Sequence, residues 1–210
     1  MNIIRFLMAA TICLTAGLAH AQSASVPLAR ITNGAPDTPS RMGLLATAEA
    51  EAANVERHVR FAASRTDHLY WMRTQAGHVV HALEPSRMAE GRGLGYGLRK
   101  ALAGISLAAV EAAGAPDATD GVKMHAAHVT ASVSTALDHS SHLLEVAGKV
   151  IESPDPHVAK PLVEQMQELT FWLLHGRDAN GDGKVSWEKG EGGLDQIAIH
   201  VGLMAAAAGK

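Results

Sequence analysis

The chain has 210 residues, a formal net charge of −3 and 12 histidines. That charge gives no electrostatic basis for binding nucleic acid or an anionic membrane surface, both of which are recognised by basic patches. The only cysteine is Cys13, which excludes an internal disulfide and a cysteine-thiolate metal cluster. A chain of this length is long enough to form one hydrophobic core.

The N-terminus has the pattern of a secretory signal peptide. A positive head and a short apolar run precede Ala19-His20-Ala21, which matches a small-x-small cleavage site. We therefore expect residues 1–21 to be removed and the mature chain to begin at Gln22, in the periplasm or as a secreted protein. No later segment is apolar enough to predict a membrane-spanning helix.

The rest of the chain predicts an all-α fold. Residues 22–39 are rich in Ser, Pro, Asn and Gly without an apolar period, which predicts a disordered lead. Residues 40–210 are predicted to be a single helical-bundle domain, because apolar residues recur at helical spacing and no stretch alternates as a strand does. This pattern predicts an antiparallel bundle of about four main helices, followed by a loop and a short final helix.

The predicted helices can be placed by their caps and apolar stripes. The first helix is capped by Ser40, and the second is capped by Thr66 or Asp67 and ends before Pro85. The third covers 99–113, and the fourth is a long helix from Asp117 or Asp120 to about Ile151. The fifth runs from Asp155 to Gly176, and a short last helix runs from about Leu194 to Met204. The glycine-rich segment 85–97 is predicted to be a loop and not a phosphate cradle, since it neither follows a strand nor precedes Lys-Ser/Thr.

The segment 178–191 places oxygen-bearing side chains at alternate positions, followed by a glycine. Asp178, Asn180 and Asp182 stand at the first, third and fifth positions, and Gly183 follows them. The segment resembles an EF-hand or dockerin-type calcium loop. The resemblance implies that these three side chains and the backbone carbonyl of Lys184 bind Ca²⁺.

The last ligand of the calcium loop departs from this pattern. The twelfth position holds Lys189, which cannot coordinate Ca²⁺, whereas Glu188 and Glu191 stand close to it. Neighbouring glycines make the backbone pliable, so we expect an extended loop that brings Glu191 to the ion. Glu188 is the second choice, since it needs a shorter loop. The competing interpretation is a solvated polar turn without metal.

Six histidines form pairs spaced three residues apart, so that each pair shares one face of a helix. The pairs are His78 with His81, His125 with His128, and His139 with His142. If the two helices that carry them are antiparallel neighbours, two pairs can converge. Four imidazoles would suit Zn²⁺, Cu²⁺ or Ni²⁺, whereas two opposed imidazoles would suit haem b. A solvated histidine face is the alternative.

Two further motifs bear on which kind of metal site the histidines could form. His81 and Glu84 are similar to the G-x-H-x-x-E motif of imelysin-like periplasmic proteins, with Val79 in place of the glycine. No Glu-x-x-His pair of the kind found in ferritin-like di-iron sites precedes any histidine.

These observations leave three hypotheses open. The first is an exported, non-enzymatic bundle that binds calcium and carries a transition metal or haem on its histidines. The second is a protein-interaction module of the periplasm in which calcium is only a structural clamp. The third is a metalloenzyme at the histidine cluster, which the absence of a carboxylate at a clear general-base spacing disfavours.

Overall fold

A computed structural model describes residues 23–209, and the predicted signal peptide at 1–21 lies outside this range. The described residues form α-helices and short 3-10 turns without strands, which confirms the predicted all-α bundle. The helices are α1 (Ser25–Thr32), α2 (Leu44–Ala63), α3 (Leu69–Leu83), α4 (Leu98–Ala113), α5 (Asp120–Glu152), α6 (Pro156–His175) and α7 (Leu194–Ala208). None of these helices combines the length and the apolar character that crossing a bilayer requires.

Helix α5 is the centre of the bundle. It has 33 residues and packs against α3, α4, α6 and α7, while α2 packs against α3, α4 and α6. The connections between successive helices from α4 to α6 are short, which makes those helices antiparallel neighbours. Alanines such as Ala76, Ala108 and Ala136 are fully buried in the core, and their small side chains allow the helix axes to approach closely.

Side-chain caps fix where several helices begin. Thr119 Oγ1 accepts the N–H of Val122 at 3.2 Å and thereby starts α5 at the later of the two predicted positions. The predicted Ser40 cap is wrong, because Ser40 lies in a 3-10 turn with φ +52° and α2 begins after Gly43. Helix α3 is capped by His68, whose Nδ1 accepts the N–H of Trp71 at 3.1 Å.

The prediction of a disordered lead over 22–39 is wrong, because helix α1 lies within that segment. Leu28 and Ile31 of α1 are buried, and the helix packs mainly against α4. Asp117 holds the start of the segment by accepting the N–H of Ala24 at 2.8 Å. The helix has only eight residues and is flanked by Ser, Pro, Asn and Gly, so its apolar spacing gives a weak signal in the sequence, yet it forms where a neighbouring helix buries its apolar side.

The glycine-rich loop that precedes α4 is organised around a buried carboxylate. Glu51 of α2 is 0 % exposed, and its Oε1 accepts the backbone N–H groups of Tyr96 at 3.0 Å and Gly97 at 2.9 Å. Its Oε2 accepts the N–H of Leu94 at 3.1 Å. Gly93 has φ +150° and a Cβ there would lie 2.6 Å from Glu51 Oε2, so glycine is required at this position. The loop's amide groups therefore bind the protein's own carboxylate.

Candidate metal centre

Three histidines from two helices converge beside the C-terminal loop. His125 and His128 lie one turn apart on α5, and His200 lies on α7. Their ligand atoms all lie within 4.8 Å of one another, which no other group of three His, Cys, Asp or Glu achieves among residues 23–209. We call this group the three-histidine site.

One distance within the three-histidine site matches the spacing of two nitrogen ligands on a single small ion. The Nδ1 atoms of His125 and His200 are 3.3 Å apart, a separation that also allows one ring to donate a hydrogen bond to the other. A tetrahedral Zn²⁺ with bonds of about 2.0–2.1 Å places its nitrogen ligands about 3.3 Å apart. His128 Nδ1 is buried and has no hydrogen-bond partner among the described residues, so it is available as a further ligand.

The electrostatics of the site favour neutral imidazoles, which is the form that binds metals. Burial lowers the pKa of His128, and the neighbouring His125 lowers it further. Burial also lowers the pKa of His200, with additional contributions from His128 and His125. Protonating one ring would place a positive charge in a partly desolvated site beside two further basic rings.

The site exists because α5 and α7 run antiparallel. Thr119, at the start of α5, donates to the carbonyl oxygen of Ala207 at the end of α7 through a 3.1 Å hydrogen bond. At the other end of the contact, Gly190 donates its N–H to Thr135 Oγ1 at 3.2 Å just before α7 begins. This arrangement brings His200 opposite the predicted pair His125 and His128.

Sequence reasoning missed His200 because it belongs to no i, i+3 pair. A signal was nonetheless present. His200 lies three residues after Ile197 and four before Met204, and both of those residues are buried. It therefore interrupts the apolar stripe of α7, where a histidine needs a polar partner or a ligand.

A tryptophan from the C-terminal loop covers the three-histidine site. The rings of Trp187 and His128 are stacked, with centroids 3.8 Å apart and an angle of 10° between their planes. The His128 ring also meets the His200 ring in a T-shaped contact, with centroids 4.7 Å apart. Trp187 thus covers one face of a proposed ligand ring and restricts its orientation.

The predicted pair on α3 does not join this site. His78 lies beside His58 of α2, with ring centroids 4.7 Å apart, and His58 Nδ1 is 2.7 Å from Gln75 Oε1. Burial lowers the pKa of both histidines. Although α3 and α5 are neighbours as the hypothesis required, the ring of His78 packs toward α2.

His81, the other member of the α3 pair, is used within the protein's own loop. Its Nδ1 lies 2.7 Å from the carbonyl oxygen of Met88, to which it donates. A Cβ at Gly91 would lie 2.2 Å from His81 Cβ, so the loop packs directly against this ring. Glu84, the acidic member of the imelysin-like pair, instead forms ion pairs with Arg87 at 3.1 Å and Arg99 at 3.5 Å.

The third predicted pair is also separate from the three-histidine site. His139 is buried beside Trp172, with ring centroids 5.8 Å apart, and burial lowers its pKa. His139 Nε2 has no hydrogen-bond partner among residues 23–209. His142 is exposed. Of the three predicted pairs, the structure brings only His125 and His128 into a group that could hold a metal ion.

The loop from Asp178 to Lys184 is held by hydrogen bonds between its side chains and its own backbone. Asp178 Oδ2 accepts the N–H of Gly183 at 2.8 Å, and its Oδ1 accepts that of Gly181 at 2.6 Å. These bonds, with the Gly183 N–H as the largest influence, lower the pKa of Asp178. Asn180 Oδ1 accepts the N–H of Asp182 at 2.9 Å. All five residues are exposed, and the bonds fold the loop into successive tight turns.

Glu191 differs from the rest of the loop because it is buried. The residue is 1 % exposed, and its Oε2 accepts both the N–H and the Oγ–H of Ser186, at 2.9 and 2.8 Å. Its Oε1 is buried without a hydrogen-bond partner among the described residues. Glu188, the second choice for the last ligand, is exposed and lies 3.4 Å from Asn180 Nδ2.

The end of the loop packs tightly on the polar side of α5. A Cβ at Gly192 would lie 2.6 Å from Ser132 Oγ, so only glycine allows this approach. Gly176, which ends α6 with φ +78°, is equally constrained, since a Cβ there would lie 2.2 Å from the carbonyl oxygen of Glu191. The loop therefore covers Ser132 and Thr135, which lie between the two histidine pairs of α5.

Comparison of the chain with protein-family models, with curated proteins and with solved structures found no match. The geometry of the three-histidine site and of the adjacent loop is therefore the basis for assigning a function.

Proposed function

We propose that this protein is an exported, non-enzymatic metal-binding bundle in which His125, His128 and His200 hold one transition-metal ion. The observation that carries the proposal is the convergence of three ligand atoms within 4.8 Å. Imidazole ligands suit Zn²⁺, Cu²⁺ and Ni²⁺. Three histidines fill three of four tetrahedral positions, which leaves one for water or for a ligand from a partner.

The arrangement of the rings supports an ion more than haem b. A b-type haem needs two imidazoles on opposite faces of a flat macrocycle. Here the ring centroids of His125 and His128 are 5.7 Å apart in an edge-to-face contact, and His200 packs against both rings. No Asp or Glu of residues 23–209 belongs to the group, so its ligand atoms are all imidazole nitrogens.

We also propose that the adjacent loop binds a calcium ion. Asp178, Asn180 and Asp182 supply side-chain oxygens at alternate positions, and Lys184 supplies its carbonyl. The buried, unpartnered Oε1 of Glu191 supports this residue as the last ligand, because a buried carboxylate oxygen without a partner is costly. With no second loop of this kind in the sequence, the ion would act as a structural clamp.

Metal analysis combined with calorimetry tests the proposal. We expect protein exported with its own signal peptide to contain zinc, copper or nickel, and the stripped protein to bind one such ion. His200→Ala should weaken this binding by at least about 100-fold, since changes to groups that only support a ligand already cost 10–100-fold. His142→Ala, on the exposed face of the same α5 helix, is the matched control and should bind as the wild type does.

The same measurements separate the alternatives. Calcium without a transition metal would favour an interaction module whose ligand is a partner protein, and a Soret absorption band would indicate haem. Equal affinities of the wild type and His200→Ala for Zn²⁺, Cu²⁺ and Ni²⁺ would refute the three-histidine site.

A further inference from the structure

We infer that the loop from Asp178 to Glu191 regulates the three-histidine site, with Trp187 as the connecting residue. The inference rests on the proposed function and adds a coupling between its two ions. The connecting contact is the stack of Trp187 on His128, with centroids 3.8 Å apart and planes at 10°. Trp187 lies within the proposed calcium loop, whereas His128 is one of three proposed ligands of the other ion.

The backbone on both sides of Trp187 is held by the residues expected to respond to calcium. Ser186, which precedes it, donates its N–H and Oγ–H to Glu191 Oε2 at 2.9 and 2.8 Å. Glu188, which follows it, donates its N–H to Ser186 Oγ at 2.9 Å. A ligand that engages the free Oε1 of Glu191 would immobilise this short segment and, with it, the indole ring.

The loop transmits this restraint because its end is fixed to the bundle. Gly190 donates to Thr135 Oγ1 at 3.2 Å, and Gln196 Nε2 donates to the carbonyl oxygen of Val185 at 3.1 Å. Thr135 belongs to the same helix as His128, and Gln196 is one turn before His200 on α7. The loop, two ligand-bearing helices and the indole therefore form one contiguous set of contacts.

The physical consequence is preorganisation. An ion in the loop restrains Trp187, and the stacked indole then holds the His128 ring in one orientation before the second ion arrives. Couplings between sites are typically 5- to 150-fold in affinity and are reciprocal. We expect millimolar Ca²⁺ to tighten Zn²⁺ binding at the three-histidine site by about tenfold, and Zn²⁺ to tighten Ca²⁺ binding equally.

The coupling can be measured by Zn²⁺ titration calorimetry of the signal-free protein, with millimolar Ca²⁺ and after its removal. The Zn²⁺ binding that is lost in His200→Ala is assigned to the three-histidine site. Any Zn²⁺ that binds in the loop remains in this variant and is therefore not counted. Trp187→Ala should still be stabilised by Ca²⁺ but should show the same Zn²⁺ affinity in both conditions. Tyr70→Ala removes an exposed aromatic residue from α3 and should retain the tenfold difference.

The outcomes distinguish the inference from the proposed function. If the wild type binds Zn²⁺ through His200 with equal affinity in both conditions, the coupling is refuted and the metal site stands. If Trp187→Ala retains the full difference, the connection through the indole is refuted. If no Zn²⁺ binding depends on His200, the proposed function fails and the coupling fails with it.

Discussion

The indole of Trp187 and the imidazole of His128 lie almost parallel, with centroids 3.8 Å apart. Trp187 is 38 % exposed although one face of its ring is covered, so the stack forms the boundary between the three-histidine site and solvent. The contact also places a fluorescent group beside a proposed metal ligand.

Binding of Cu²⁺ at the three-histidine site should therefore quench the fluorescence of Trp187, because the paramagnetic ion would lie next to the ring that the indole stacks on. Trp187→Phe should lose most of the quenching, and His200→Ala should shift it to much higher Cu²⁺ concentrations. Trp71→Phe is the control, since Trp71 lies on α3 and donates its Nε1–H to the carbonyl oxygen of Phe61 at 2.6 Å. Equal quenching in Trp187→Phe would contradict the proposed location of the ion.

Calcium should raise the melting temperature of the protein. An ion that binds only the folded state adds RT ln(1 + [L]/Kd), about 2.7 kcal/mol at a hundredfold excess over Kd. Asp178→Ala should abolish the difference between millimolar Ca²⁺ and a chelator, and Glu191→Gln should reduce it more than Glu188→Gln does. The opposite order of the two glutamate variants would show that the loop closes on Glu188, and equal melting of the wild type in both conditions would refute the clamp.

The stability of the metal-free protein should fall as the pH drops below about 6.5. Burial lowers the pKa of His58 and His139, while the unfolded chain has the ordinary value near 6.5. The unfolded state then binds more protons below that value, so acid favours unfolding until the pH passes the lowered pKa of each folded ring.

Urea unfolding at about pH 7.5 and about pH 5.5 measures this loss on either side of the ordinary histidine pKa. His139→Asn should reduce the difference between the two values of the unfolding free energy, since Asn does not titrate. His157→Asn changes an exposed residue and should leave the difference unchanged. A wild-type protein that is equally stable at both pH values would contradict the expected linkage.

Replacing Glu51 should destabilise the bundle through the glycine-rich loop. Glu51→Gln keeps the shape of the side chain but replaces one carboxylate oxygen with an NH₂ group. This group faces at least one backbone N–H, which leaves a buried donor without an acceptor. Such a loss costs about 1–3 kcal/mol in unfolding free energy. Glu56→Gln changes an exposed carboxylate on the same helix and should be near neutral in a thermal or urea melt. A Glu51→Gln variant as stable as the wild type would mean that the loop does not depend on these bonds.

The helices themselves could be predicted from the sequence because their signals are local. Apolar spacing placed α2 to α7 within a few residues, and the Asp155-Pro156 start and the glycine at 176 bounded α6. The one helix missed, α1, has only eight residues and is stabilised by burial of Leu28 and Ile31 in the bundle. A helix of this length gives a weak periodic signal and depends on tertiary contacts for its stability.

Sequence alone determined the all-α class, the loop at 178–191 and the pairing of His125 with His128 on one helix face, since spacing along a helix fixes which residues share a face. It could not determine which face meets which helix. The ring of His78 packs beside His58, whereas His128 meets His200 and Trp187, both of which are remote in sequence. Only the antiparallel packing of α5 and α7, and the docking of the loop on α5, decided this arrangement, because it depends on which buried surfaces fit together.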